Sequence, residues 1–128
     1  MKTFLYISGR NGTGKTCLLR SMEKALVERS GRGCVICTGT ETLVDEMVSG
    51  IRGSNMEPFL KKYGTVENLL VDNYWVLARR PHAARIVAQL FHDRISMGRL
   101  TVVASDLPPT QVKEINDLFA EALFINLE

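Results

Sequence analysis

No apolar run in this chain approaches the ~20 residues that a transmembrane helix needs, which excludes a helical membrane span. The opening M-K-T-F-L-Y-I-S resembles the start of a secretory leader. It breaks at Gly9 into a polar, glycine-rich loop, so no signal peptide is read there. Cysteine is scarce and odd in number: Cys17, Cys34 and Cys37. That count, without a secretory signal, predicts reduced thiols and a cytoplasmic protein. Charge of one sign is also lacking. The net charge of +2 announces no strong field toward nucleic acid or a membrane. Repeats, linkers and low-complexity tracts are missing, so the 128 residues are read as one domain with a real core.

Strand and helix patterns alternate along the chain. The β-rich run at positions 3–8 is followed from Lys15 to about Arg29 by Leu18, Leu19, Met22, Ala25 and Leu26 at helical spacing. Gly31 and Gly33 stop that helix. Positions 33–38 read as a second strand. Cys34 and Cys37 have C-x-x-C spacing, but side chains three apart on a strand face opposite ways, so two buried structural thiols are expected. A helix from Thr40 carries Leu43, Val44, Met47, Val48 and Ile51 on one face, and a shorter one runs from Glu57 to about Tyr63. Asn68–Asp72 is the third strand. Pro81 suits a helix's first turn, and Ile86, Val87, Leu90, Phe91 and Ile95 give that helix its apolar face. Leu100–Ser105 is the fourth strand, Pro108-Pro109 opens a last helix, and positions 122–127 form a fifth strand. Apolar, barely alternating strands separated by helices predict a parallel sheet covered on both faces.

Positions 9–16 read G-R-N-G-T-G-K-T, a complete G-x-x-x-x-G-K-T between a strand and an amphipathic helix. Gly9, Gly12 and Gly14 let several backbone N–H groups converge on one anion. The following helix directs its positive end to the same place. Lys15 suits β- and γ-phosphates and the Thr16 hydroxyl suits Mg²⁺. Asn11, Thr13 and Cys17 complete the expected nucleotide contacts. The bland reading is a glycine-rich turn without a ligand. Further on, the apolar run Leu69-Leu70-Val71 ends in Asp72, as a Walker B strand does, with Asp72 holding Mg²⁺ directly or through water. The bland reading is a plain strand-end aspartate.

Three segments together resemble the AAA+ domain of the bacterial replication initiator family DnaA. They are F-L-Y-I-S-G-R-N-G-T-G-K-T-C-L-L, the run from Thr40 through Phe59-Leu60-Lys61-Lys62-Tyr63 to Asp72, and V-V-A-S-D-L-P-P at 102–109. The resemblance implies an α/β P-loop NTPase of the ASCE/AAA+ type, a three-layer sandwich with a five-stranded parallel sheet of order 5-1-4-3-2. It implies ATP or ADP with Mg²⁺, and places Asp106 at sensor 1, which reads the γ-phosphate or the attacking water. Asp106 as a mere cap of the Pro-Pro helix is the bland alternative.

The chain departs from that pattern. Asn73 stands where the family has a second acid; an amide can hydrogen-bond a water but cannot take its proton. Leu118 and Ala122 stand where the family has two arginines, one of them the finger for a neighbour's ATP. The stretch ends after the fifth strand, so one AAA+ core over 1–128 without a helical lid or helix-turn-helix domain is expected. For single-stranded DNA, the resemblance points to Arg80 and His82, with Arg79, Arg52, Lys61 and Lys62 nearby. Trp75 is read as packing or as a stacking platform. The expectation is a nucleotide-binding module with little hydrolysis that acts in replication initiation. Its expected partners are full-length DnaA or another AAA+ replication protein and weakly held DNA, with monomeric or weak self-association. An active ATPase like a helicase loader and an interaction module with a vestigial loop are the competing readings.

Overall fold

The computed structural model of the chain describes residues 3–10, 12–107 and 122–127. The strands are β1 (Phe4–Ser8), β2 (Val35–Gly39), β3 (Asn68–Asp72), β4 (Leu100–Ser105) and β5 (Ala122–Asn126). All pair in parallel, in the order β2-β3-β4-β1-β5, which is the expected order. The helices are α1 (Lys15–Ser30), α2 (Thr40–Arg52), α3 (Glu57–Thr65) and α4 (Pro81–Ser96). Short 3-10 segments cover Arg32–Cys34 and Tyr74–Arg79. Among the described residues no helix is long and apolar enough to cross a membrane.

Period-two alternation sorts each strand between two cores. Ile7, Leu70, Val102 and Ala104 meet Leu19 of α1 on one face. Phe4, Tyr6, Leu69, Val71 and Val103 meet α2, α3, α4 and the Tyr74–Arg79 segment on the other. Phe91 of α4 centres the second core, with its ring edge-on to Phe4 at 5.5 Å and beside Tyr74 at 5.8 Å. Both faces of β3 and β4 are therefore covered, which is why these strands read as continuous apolar runs.

Two expectations are corrected, and one element had not been expected. Cys34 closes a 3-10 turn ahead of β2, and both it and Cys37 are half-buried, because β2 is an edge strand that nothing covers fully. Ile51, expected inward, is 45% exposed; α2 is ending there and its last turn overhangs the core. Tyr74–Arg79, unassigned in the sequence, is a 3-10 segment that buries Tyr74 and Leu77. The helix expected from Pro108-Pro109, including Leu118, lies outside the described residues.

One polar residue holds the N-terminal edge of the sheet. Arg94 has no solvent exposure and belongs to the inward row of α4 with Val87, Leu90 and Phe91. Its Nε donates to Thr101 Oγ1 at 2.8 Å. Nη1 donates to the carbonyls of Tyr63 and Val66, and Nη2 to those of Glu67 and Leu100. The five guanidinium donors thus join the end of α3 to the starts of β3 and β4. Burial, followed by the nearby Arg99 charge, pulls the Arg94 pKa down to about 10, so it remains charged at neutral pH. Arg94→Met keeps the volume but leaves buried carbonyls unsatisfied. It is expected to cost about 3–5 kcal/mol in urea unfolding; a loss indistinguishable from zero would remove Arg94 from this role.

Candidate nucleotide-binding site

In a parallel sheet the crevice lies beyond the C-terminal ends of the strands, and the sequence-predicted residues meet there. β1 ends at Ser8 and the chain curls through Gly9–Gly14 into α1. The curl needs backbone conformations that side chains resist. Gly12 has φ 87° and Gly14 φ 89°, in the left-handed region that glycine enters without cost. At Gly9 the constraint is space, since a Cβ would come within 2.7 Å of Thr13 Oγ1. That hydroxyl donates to the Arg10 carbonyl at 2.7 Å, and the Thr13 N–H donates to the same carbonyl at 3.2 Å. The loop is therefore cross-tied internally.

Lys15, the first residue of α1, is 7% exposed. Its ammonium donates to the Gly9 carbonyl and to the Arg10 carbonyl at 2.8 Å, and pairs with Asp106 Oδ1 at 3.0 Å. Thr16 is next along α1, and its Oγ1 donates to Asp72 Oδ2 at 2.9 Å. Asp72 Oδ1 accepts the Asn73 N–H at 2.8 Å, and its carbonyl accepts the hydroxyl of Thr40, the first residue of α2. Asn73 itself has φ 58° and ψ 40°. Asparagine is among the few non-glycine residues that enter this region readily. The residue type at 73 thus satisfies a local backbone demand as well as any demand of the chemistry.

Gly12, Gly14, Lys15, Thr16, Cys17, Asp72, Asn73 and Asp106 line one cleft of about 310 Å³. A second, of about 220 Å³, shares Thr16, Asp72 and Asn73 and reaches Cys37 and Arg20. Larger cavities of about 500 Å³ lie between α2 and α3 and beside Arg99. Neither gathers a glycine loop, a buried cation and a strand-end carboxylate, so the smaller cleft is the better phosphate site. Cys17 is exposed on its rim, whereas burial pushes the Cys37 thiol up.

No cluster of three or more His, Cys, Asp or Glu among the described residues could hold a metal. A hard divalent ion that keeps water and phosphate ligands needs less from a protein. The adjacent hydroxyl and carboxylate of Thr16 and Asp72 fit it. Asn11 lies outside the described residues.

The four residues expected at DNA are exposed, but they belong to different elements. Arg52 ends α2, Arg79 ends the 3-10 segment, Arg80 follows it, and His82 sits in the first turn of α4. Trp75 is 40% exposed. Of the two expected arginine positions, Ala122 opens β5 and is buried in the core. Sequence reading placed Thr40 at the start of a helix but missed its hydrogen bond to the Asp72 carbonyl, and it missed the Lys15–Asp106 pair.

The family model described as the bacterial DnaA ATPase domain matches residues 2–127. The chromosomal replication initiator protein DnaA of Thermodesulfovibrio yellowstonii is 30% identical over 113 residues, covering 88% of this chain and 26% of that protein. Domain III of Thermotoga maritima DnaA has a TM-score of 0.91 at 24% identity, over 99% of this chain and 55% of that one. A DnaA solved with AMPPCP and single-stranded DNA has a TM-score of 0.87 at 21% identity, over 98% and 40%. The DnaC helicase loader has 0.74 at 16% identity, over 98% and 78%. The chain spans about a quarter of the length of the curated relatives it matches.

The loop geometry makes a stability prediction. Gly14→Ala forces a side chain into the left-handed region and is expected to cost about 1–2 kcal/mol. Gly33→Ala, with open space and no positive φ, should stay within about 0.5 kcal/mol. Equal costs in urea unfolding would contradict the assigned loop conformation.

Proposed function

The chain belongs to the bacterial DnaA ATPase-domain family, and on that footing we propose that it is an AAA+ module that binds ATP or ADP in the Gly9–Thr16 loop and acts in replication initiation. The supporting observation is the convergence of the Lys15 ammonium, the Thr16–Asp72 pair and Asp106 on one cleft. In this reading Lys15 neutralises the β- and γ-phosphates and the loop N–H groups hold their oxygens. Thr16 and Asp72 would hold Mg²⁺, which when bound supplies charge neutralisation on the phosphates. Asn73 orients a water without accepting its proton, so little ATP is turned over. The surface residues Arg52, Arg79, Arg80 and His82 give weak, salt-sensitive contacts to single-stranded DNA. The solved relative that carries single-stranded DNA supports this by likeness.

Two readouts on one preparation test the proposal. With millimolar Mg·ATP the melting temperature of the wild type is expected to rise, and that of Lys15→Ala to stay unchanged. Steady-state phosphate release should lie near background in the wild type and in Asn73→Asp, a substitution the left-handed backbone tolerates. Identical melting behaviour in wild type and Lys15→Ala would end the nucleotide reading. Ready turnover by the wild type would instead favour an active ATPase of the loader type, whose fold this chain shares.

A further inference from the structure

Thr40 is the first residue of α2 and has no solvent exposure. Threonine serves a helix best one place earlier, at the N-cap, where its oxygen accepts a first-turn N–H. Gly39 holds that place here, and no side chain caps α2. The Thr40 hydroxyl instead reaches across to β3 and donates to the Asp72 carbonyl at 2.8 Å, 32 residues along the chain. That carbonyl stands where the sheet gives out. Gly39 opposite Asp72 is the last pair of the β2–β3 register, and the β3–β4 register already ends with Val71 opposite Val103. The chain then leaves the sheet through the left-handed backbone of Asn73. Asp72 is only half-buried, so packing alone does not fix its side chain.

This inference rests on the nucleotide reading above. We propose that Thr40 is a positioning residue for the Mg²⁺ subsite, acting through the peptide that joins Asp72 to Asn73. In a trans peptide the carbonyl and the following N–H lie in one plane and point opposite ways. By holding the Asp72 carbonyl on the α2 side, Thr40 turns the Asn73 N–H away from α2, where it donates to Asp72 Oδ1 at 2.8 Å. A carboxylate is planar, so an occupied Oδ1 also sets the direction of Oδ2, which accepts the Thr16 hydroxyl at 2.9 Å. The two side-chain oxygens that would hold Mg²⁺ are thus brought together by a hydroxyl bonded to a backbone oxygen. Partners of this outer kind change metal affinity without touching the metal, because they orient its ligands. Without the Thr40 hydroxyl the 72–73 peptide is free to turn, and the carboxylate turns with it. Lys15 and the Gly9–Gly14 loop have no part in this chain of bonds, so phosphate binding without the ion does not depend on it.

The test is calorimetric titration of wild type, Thr40→Val and Thr40→Ser with ADP, once with excess Mg²⁺ and once in EDTA, alongside thermal melts without ligand. Thr40→Val keeps the shape and removes the hydroxyl. It should lose about tenfold in affinity for Mg·ADP and nothing for ADP in EDTA. Thr40→Ser keeps the donor and should match the wild type in both. Without ligand Thr40→Val should melt about 4–8 °C lower, since a carbonyl is left unsatisfied. A threonine with a structural role alone would give that loss of stability with both affinities lowered alike, or with neither changed. Either pattern overturns the positioning role while the nucleotide reading stands. The wild type supplies an independent measurement that does not require Thr40→Val to fold. Adding Mg²⁺ to its ADP complex should shift the Thr40 amide resonance together with those of Asp72 and Asn73; an unmoved Thr40 would overturn the proposal. If the wild type binds ADP equally with Mg²⁺ and in EDTA, the Mg²⁺ subsite and the inference fail together. If it binds in neither condition, the nucleotide reading fails and the inference fails with it.

Discussion

The Lys15 ammonium is the constraint around which the C-terminal edge of the sheet is arranged. A nearly buried cation needs oxygen on every side, and each oxygen comes from a different consequence of the fold. The Gly9 and Arg10 carbonyls turn inward because the loop passes through left-handed backbone at Gly12 and Gly14. Asp106 is within reach because β4 lies beside β1 in register, with Ser8 opposite Ser105. That adjacency follows from the strand order. Thr16, one residue on, reaches Asp72 at the end of β3. Asp72 in turn fixes the start of α2 through Thr40.

The other edge of the sheet is held by a second buried cation with a different task. All of the Arg94 donors end on oxygens of the fold, so it has none left for a ligand. Lys15 divides its donors between two loop carbonyls and a rim carboxylate. The chain thus has one cation that locks the starts of β3 and β4 and one that ties the Gly9–Gly14 loop to the end of β4. Such a division suits a parallel sheet, whose crevice opens at one edge only.

Much of this was legible in the sequence, for physical reasons. β3 and β4 were bounded correctly because both faces are buried and the apolar runs stop where burial stops. α4 began where expected because proline fits only the first turn. The course of the Gly9–Thr16 loop was legible because its glycines answer to backbone geometry, which leaves few alternatives in composition. The rest depended on contacts between distant segments. Lys15 and Asp106 meet only through strand adjacency, which no local pattern states. Arg94 sits at the inward spacing of Val87, Leu90 and Phe91, beside the expected Ile95, but a charged side chain does not register in an apolar pattern. Cys34 and Ile51 were misplaced because edge strands and helix ends keep the pattern of burial while losing the cover.

The central claim is that nucleotide binds at the Gly9–Thr16 loop and at Asp72. Backbone amide mapping by heteronuclear NMR under titration with Mg·ADP tests this most directly. Shifts concentrated at Gly12, Gly14, Lys15, Thr16, Asp72 and Asn73, with Tyr63, Glu67 and Arg94 unmoved, are the predicted result. Shifts confined to the cavity between α2 and α3, or an unchanged loop at saturating ligand, would contradict it.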